Sequence, residues 1–135
     1  MPTTRTDRLD IRSSDDVVKV RQQTRTMAVE AGLSLVDQTK IITAASELAR
    51  NTLDYGGGGE MRLEVVEDGG RRGVRLTFED RGPGIADIAQ AMRDGFTTGS
   101  GLGLGLGGAK RLSNEFSIDS KPGIGTKIMI ARWKA

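Results

Sequence analysis

Two polar residues four positions apart, Glu47 and Asn51, stand in a stretch with the apolar spacing of a helix. Residues at i and i+4 share one helix face, so this carboxylate and this amide would point the same way. An amide oxygen suits a hard cation such as magnesium, which takes oxygen ligands and keeps several waters. A carboxylate beside it could hold or deprotonate an attacking hydroxyl or water. The pair could also simply mark the solvated face of the helix, and spacing alone leaves both interpretations open.

Asp80 follows an apolar strand-like run and precedes the turn sequence Gly82-Pro83-Gly84. A carboxylate at a strand end can accept a hydrogen bond from an exocyclic amine such as that of adenine. The two glycines let the backbone approach a planar ligand, and the proline stiffens the turn between them. An ordinary acidic turn residue would give the same short pattern, so this motif by itself is a weak signal.

Residues 99–108 read Gly-Ser-Gly-Leu-Gly-Leu-Gly-Leu-Gly-Gly. Glycine inside a helix or strand costs ~0.5–1 kcal/mol relative to alanine, so alternate glycines disfavour regular structure. They expose backbone N–H groups instead, which commonly bind phosphate, and a helix beginning beyond the loop would add its dipole. A flexible linker is the alternative, but leucines at 102, 104 and 106 would serve no purpose in a linker.

Other phosphate-binding motifs do not fit this glycine run. A Rossmann fingerprint needs a strand directly before it, and residues 96–100 (Phe-Thr-Thr-Gly-Ser) do not form that pattern. The P-loop sequence is absent. Lys110 and Arg111 follow the glycines in the first turns of a predicted helix. They could reach phosphate oxygens or form an ordinary solvated face.

The composition narrows the chemistry further. The chain of 135 residues has no histidine and no cysteine, which removes the commonest general base, phosphohistidine and thiolate chemistry. The net charge of +2 is spread along the chain, so a nucleic-acid partner is not favoured. No apolar run approaches the length of a membrane span, and the N-terminus lacks a signal-peptide core, so we expect a bacterial cytoplasmic protein without a membrane partner.

The periodicity predicts α+β architecture in one domain covering residues 1–135. We expect a largely antiparallel mixed sheet with helices on one face. The predicted elements are an edge strand at 5–12, helices at 15–31 and 35–53, a hairpin of strands 61–67 and 74–79, a short helix at 86–93, a loop with a helix beginning inside the glycine run, and strands 115–120 and 126–132. The buried stripe expected for the second helix is Val36, Ile41, Ala45, Leu48, Ala49 and Leu53.

Taken together, these motifs resemble those of the GHKL (Bergerat-fold) ATPase and kinase superfamily. Residues 46–51 (Ser-Glu-Leu-Ala-Arg-Asn) resemble its N box, and 80–85 (Asp-Arg-Gly-Pro-Gly-Ile) its G1 box. Residues 96–105, with the glycine run, resemble its lid and G2 box, and Gly125-Thr126 resembles the pair that closes the adenine site. The order and spacing match over almost the whole chain. The fold implied is a two-layer α/β sandwich.

The resemblance implies ATP and Mg²⁺ as cofactors and assigns roles to individual residues. Asn51 would coordinate magnesium, Glu47 would be the catalytic base toward a serine or threonine hydroxyl, and Asp80 would bind the adenine amino group. The full set of residues implied in nucleotide binding is Arg50, Asn51, Asp80, Gly82, Gly84, Ile85, Thr97, Thr98, Gly101, Leu102, Gly103, Leu104, Gly105, Lys110 and Thr126.

Within the superfamily the chain is most similar to small bacterial serine/threonine kinases of the RsbT type, which act on sigma-factor regulation. The matching pieces are 36–38, 46–51, 92–96, 107–112, 115–117 and the Trp133 end. The resemblance implies an STAS-domain antagonist as substrate and a PP2C-type phosphatase as the partner activated afterwards. A non-catalytic ATP-binding partner switch is the alternative. A histidine-kinase catalytic domain is disfavoured because the chain has no histidine.

Overall fold

The computed structural model describes residues 3–93 and 105–134. Along this part of the chain the elements are β1 (Thr3–Ile11), α1 (Ser14–Glu30), α2 (Leu35–Asp54), β2 (Gly59–Asp68), β3 (Arg71–Asp80), α3 (Ile88–Ala91), α4 (Gly105–Arg111), β4 (Glu115–Lys121) and β5 (Gly125–Trp133). Every predicted element in the described ranges is therefore present, and the glycine run contributes the start of α4. No helix in these ranges has the length and apolar character needed to cross a bilayer.

Helix α1 begins at a polar cap and buries one apolar side. The Asp16 carboxylate accepts hydrogen bonds from the backbone N–H groups of Arg12 at 2.8 Å and Ser13 at 3.2 Å. These bonds satisfy donors at and before the helix start that have no partner within the helix. The buried side consists of Val17, Val20, Thr24, Met27 and Ala28. Gly32, with φ +81°, turns the chain into α2.

Helix α2 is the longest helix of the described residues and is capped by Ser34, whose hydroxyl accepts the Asp37 N–H at 3.2 Å. Most of its predicted stripe is buried. The prediction was wrong for Val36, which is 64% exposed. Asp37 is buried in its place, since its carboxylate is paired with Arg132 of β5 at 2.8 Å.

The five strands form one sheet in the order β1-β2-β3-β5-β4, with every neighbouring pair antiparallel. The α+β class and the antiparallel sheet are confirmed, with β1 at an edge as expected. Apolar side chains of one face pair across the strands, as in Met61 opposite Phe78 and Phe78 opposite Ile128. They form the core with the buried sides of α1 and α2, so the main helices cover this face.

The last strand lies inside the sheet, between β3 and β4. This insertion places Thr126, at the start of β5, directly opposite Asp80, at the end of β3. The sheet thus brings together two predicted site residues that are 46 positions apart in the chain.

Candidate functional site

Asp80 lies at the end of β3 with only 8% of its surface exposed. Its Oδ1 accepts the Gly82 N–H at 2.8 Å, and its carboxylate also accepts the backbone N–H of Thr126. Burial raises the pKa of Asp80 above its ordinary value, and these two hydrogen bonds act in the opposite direction. The result is a fixed acceptor in a water-poor setting, the character needed to recognise an amino group.

Gly56, directly after α2, lies against this carboxylate. A Cβ atom built on Gly56 would be 2.4 Å from the Asp80 Cγ, and one built on Gly82 would be 2.7 Å from the Gly56 Cα. Only bare backbone fits on these two sides of the carboxylate. The sequence interpretation missed Gly56 because it stands in a run of four glycines that resembles a flexible loop.

The turn after Asp80 is fixed against the turn between β4 and β5. Gly84 has φ +76°, and a Cβ there would be 2.3 Å from the backbone oxygen of Lys121. The Gly123 N–H donates to the Pro83 carbonyl at 2.7 Å. Both glycines predicted on this turn, Gly82 and Gly84, are therefore required by close backbone packing.

Two hydroxyl groups close the opposite side of the site. Thr126 is 5% exposed, and its Oγ1 is 2.8 Å from the Ser120 Oγ. The Ser120 Oγ also accepts the Ile85 N–H at 2.7 Å. Thr126 and Ile85 were predicted site residues and Ser120 was not. The predicted pairing of β4 with β5 around residues 121–125 would have placed Ser120 opposite Thr126, which was the available signal.

Helix α2 carries Glu47 in its middle and Asn51 one turn later, near its C-terminal end. Glu47 is buried with 6% exposure, and Asn51 is half-buried one turn later. The Asn51 carbonyl accepts the N–H groups of Tyr55 at 2.9 Å and Gly56 at 3.3 Å. The turn that carries Asn51 therefore leads directly into the glycine that packs on Asp80. Because Glu47 is buried, the alternative interpretation of the pair as a solvated helix face does not hold for this residue.

Two predicted nucleotide-binding cations make other contacts. The Arg50 guanidinium donates to the Ser14 hydroxyl at 3.2 Å and lies 3.9 Å from the Asp54 carboxylate. Lys110 is exposed on α4 and lines an open cavity of about 480 Å³ whose other lining residues are Ser113, Asn114, Glu115, Phe116 and Met129. This lining contains no other predicted site residue among those described, and the nucleotide-binding roles of Arg50 and Lys110 stay predictions.

The glycine run is described only from its C-terminal part. Gly105 begins α4 with φ +64°, and Leu106, Gly107, Gly108 and Ala109 are buried. The predictions for Thr97, Thr98, Gly101, Leu102, Gly103 and Leu104 lie outside the described residues, and the roles assigned to them stay predictions.

Comparisons with known proteins identify the family of the chain. Residues 36–135 match the family model of the histidine kinase-, DNA gyrase B-, and HSP90-like ATPases. The chain is 50% identical over 118 residues to the serine/threonine-protein kinase RsbT of Bacillus subtilis, an alignment that covers 87% of this chain and 89% of that protein. It is 34% identical over 102 residues to the anti-sigma F factor of Bacillus licheniformis, covering 70% of this chain and 68% of that protein.

A solved structure is similar in fold. It contains the RsbU and RsbW domains of a Mycobacterium tuberculosis protein, with a TM-score of 0.66 and 22% sequence identity. The match covers 98% of the present chain and 34% of the other, so this chain spans about a third of that protein's length.

The chain belongs to the histidine kinase-, DNA gyrase B-, and HSP90-like ATPase family, the GHKL superfamily indicated by its sequence motifs. Within this family it is of the RsbT type, a protein serine/threonine kinase that uses ATP.

Proposed function

We propose that this kinase phosphorylates a serine or threonine of an STAS-domain antagonist protein and, once released from it, activates a PP2C-type phosphatase. Both steps would belong to a partner-switching pathway that regulates a sigma factor in the bacterial cytoplasm. The proposal rests on the 50% identity to an RsbT kinase over most of the chain. The whole of residues 1–135 would act as one ATP-binding kinase domain.

The observation that carries the catalytic part is the position of Glu47. It is a buried carboxylate one helical turn before Asn51, on the helix whose end packs on Asp80. A phosphoryl acceptor needs a base that is held in place, and a carboxylate on the rigid middle of a long helix meets this need. At the other side of the proposed site from Glu47, Thr126 and Gly56 border the Asp80 carboxylate.

The residues divide the work of phosphoryl transfer. Asp80 would accept a hydrogen bond from the adenine amino group, while Gly82 and Gly84 let the backbone turn close against the base. Asn51 would supply an amide oxygen to a magnesium ion, whose chemistry is to neutralise charge on the ATP phosphates. The donor type fits, because magnesium prefers hard oxygen ligands.

Glu47 would accept the proton of the substrate hydroxyl as its oxygen bonds to the γ-phosphorus. The bond from that phosphorus to the bridging oxygen then breaks, and ADP leaves with the electron pair. Such a reaction requires mainly positioning and charge neutralisation. The chain's lack of histidine is consistent with a carboxylate base and a hydroxyl acceptor.

Glu47→Gln tests this assignment, because it keeps the size of the side chain and removes the base. We expect ATP affinity to stay near that of wild type while phosphate transfer to the STAS partner falls at least ~100-fold. Glu67→Gln is the matched control, since Glu67 is an exposed β2 residue that pairs with Arg72. Labelled phosphate on the partner, followed by phosphosite mapping, gives the readout. Undiminished transfer by Glu47→Gln would remove Glu47 from the mechanism.

Partner switching needs a separate measurement. Glu47→Gln should still bind the phosphatase and raise its activity, because activation by binding does not use the base. Phosphatase assays with purified wild type and Glu47→Gln, without ATP, provide this test. A phosphatase that responds to neither protein would contradict the second half of the proposal.

A further inference from the structure

The two edge strands of the sheet, β1 and β4, differ in how their outer edges are protected. β1 has a register shift near its start, and its Arg5 guanidinium donates to Glu30 of α1 at 2.9 Å. The Gln23 amide of α1 donates to Asp7 of β1 at 2.7 Å. Bulges and charged side chains keep an edge strand from pairing with another chain. β4 has neither device at its centre: its register with β5 is unbroken, and residues 116–118 (Phe-Ser-Ile) carry no charge.

The backbone groups of β4 that point away from β5 include those of Phe116 and Ile118. The N–H and C=O groups of one residue lie on the same side of a strand, and the side alternates along the chain. The Ala131 carbonyl accepts the Asn114 N–H at 2.8 Å, so the odd-numbered residues of β5 face β4. Their direct partners in β4 are odd-numbered too, which leaves Phe116 and Ile118 at the outer edge. Within the described ranges, no other element forms a backbone hydrogen bond with either residue.

The side chains along this edge differ between the two faces of the sheet. Phe116 and Ile118 pack against the core on the helix face and are only half-buried. A strand added beside them would extend this apolar face. Glu115 and Asp119 lie on the opposite face, and Asp119 is exposed. Lys127 of β5 is the inner neighbour of Asp119, so an added strand would meet the outer side of this carboxylate and is best matched there by a basic residue.

The cavity of about 480 Å³ lies at the start of the same edge. Phe116 lines it from the helix face of the sheet, and Glu115 and Met129 line it from the opposite face. A cavity that is lined from both faces lies at the edge of the sheet, and not above one face. An extended chain alongside β4 would therefore reach this space.

We propose that the outer edge of β4 binds an extended segment of a partner protein as an additional strand, and that apolar and basic residues alternate in this segment. In strand addition, main-chain hydrogen bonds supply affinity and alternate side chains supply selectivity. The hydrogen bonds would form with the outward groups of Phe116 and Ile118. The apolar residues of the segment would cover these two side chains, and its basic residues would face Glu115 and Asp119. This inference does not depend on the roles proposed for Glu47 and Asp80.

The probe is a fluorescein-labelled synthetic peptide of alternating valine and lysine, whose binding is followed by fluorescence anisotropy. Ile118→Pro removes an outward N–H group and leaves the hydrogen bonds between β4 and β5 in place, since proline is tolerated where the N–H of an edge strand faces solvent. Ile118→Ala is the matched control, because it loses the same packing but keeps the N–H group. Ile118→Pro should bind the peptide at least about tenfold more weakly than Ile118→Ala.

The charge preference has its own variant. Asp119→Asn should weaken binding of the valine–lysine peptide by about two- to fivefold, the size of an exposed ion pair, and should leave binding of a valine–glutamine peptide unchanged. Asp10→Asn, at an exposed carboxylate of the other edge strand, should change neither affinity. A valine–lysine affinity that falls equally in Asp119→Asn and Asp10→Asn would contradict the assignment of β4 as the edge that is bound.

Backbone methylation of the peptide tests the same hydrogen bonds on folded wild type. One peptide is methylated on its valine nitrogens and another on its lysine nitrogens. Valine N–H groups face β4 if the added strand is antiparallel, and lysine N–H groups face it if the strand is parallel. Only one of the two methylated peptides should therefore lose affinity, by about tenfold.

Three results would overturn the inference. The first is equal affinity of the two methylated peptides, and the second is equal binding by Ile118→Pro and Ile118→Ala. The third is no detectable binding of the unmethylated peptide by wild type. Sedimentation of the protein alone examines a different occupant: self-association that Ile118→Pro abolishes and Ile118→Ala keeps would identify a second copy of the chain, and would also overturn the proposal.

Discussion

Replacing Arg132 with methionine should destabilise the protein far more than the same change at an exposed arginine. The Arg132 guanidinium donates to the Asp37 carboxylate at 2.8 and 3.3 Å and to the Leu112 carbonyl at 3.1 Å. It therefore ties the start of α2, the end of α4 and the end of β5. Only 14% of the Arg132 side chain and 11% of the Asp37 side chain are exposed.

The magnitude follows from this burial. Removing one member of a buried ion pair typically costs about 3–5 kcal/mol, because the partner charge stays buried. Asp37 keeps the Ser34 hydroxyl as a partner, so we expect about 3 kcal/mol, near the lower limit. For a chain of this size that corresponds to roughly a 10 °C fall in Tm. Arg72→Met is the control, since its pair with Glu67 is about half exposed and should be worth less than about 1 kcal/mol.

Urea unfolding of wild type, Arg132→Met, Asp37→Asn and the double variant measures the coupling between the two side chains. The double variant should be little worse than Arg132→Met alone. An Arg132→Met effect as small as that of Arg72→Met would refute the reasoning, and so would effects that simply add.

The same pair predicts a pH dependence. The hydrogen bond from Arg132 lowers the pKa of Asp37 below its ordinary 3.8. A lowered pKa in the folded state gives a stabilisation that is present above the ordinary value and is lost as the pH falls through the folded one. The difference in unfolding free energy between wild type and Asp37→Asn should therefore close at strongly acidic pH. A difference that stays constant from pH 7 to 2 would contradict this assignment.

Two glycine substitutions test the backbone walls of the site. Gly84→Ala should weaken ATP binding more than tenfold, because its Cβ would be 2.3 Å from the Lys121 backbone oxygen. Gly123→Ala is the control, since Gly123 has nearly the same φ but open space around it. It should lose only the ~1–2 kcal/mol of stability that corresponds to backbone strain. Gly56→Ala should weaken ATP binding, because the added Cβ would displace the Asp80 carboxylate. The far-UV circular dichroism should stay unchanged. Wild-type ATP affinity in this variant would show that the contact does not shape the site.

Local sequence signals were sufficient for the elements and for much of the site. The apolar spacing of α2 predicted a helix from Leu35 to Leu53, and the observed helix ends one residue later. Because Glu47 and Asn51 are four positions apart on that helix, their place on one face followed from its period alone. The two hairpins were equally local, since glycine-containing turns separate alternating strands.

Contacts between distant segments were not predictable in the same way. Asp37 and Arg132 are 95 positions apart, and nothing in either neighbourhood indicates that they meet. Gly56 looked like a linker residue, because sequence alone does not distinguish a glycine needed for close packing of the backbone on a carboxylate from one that gives flexibility. Val36 was assigned to the core by periodicity, which could not show that the neighbouring Asp37 is the buried residue because it pairs with Arg132.

The position of β5 between β3 and β4 has a consequence for the order in which the protein becomes active during synthesis. Ser120, Thr126 and Arg132 belong to residues 115–133, which a ribosome adds after all the other helices and strands of the described fold. A nascent chain that stops short of this segment has β3, with Asp80 at its end, as a sheet edge, and the proposed purine site would lack the residues of β5. Under the proposed assignment of Asp80, nucleotide binding would require the final β4–β5 hairpin, and a chain truncated before it would lack kinase activity.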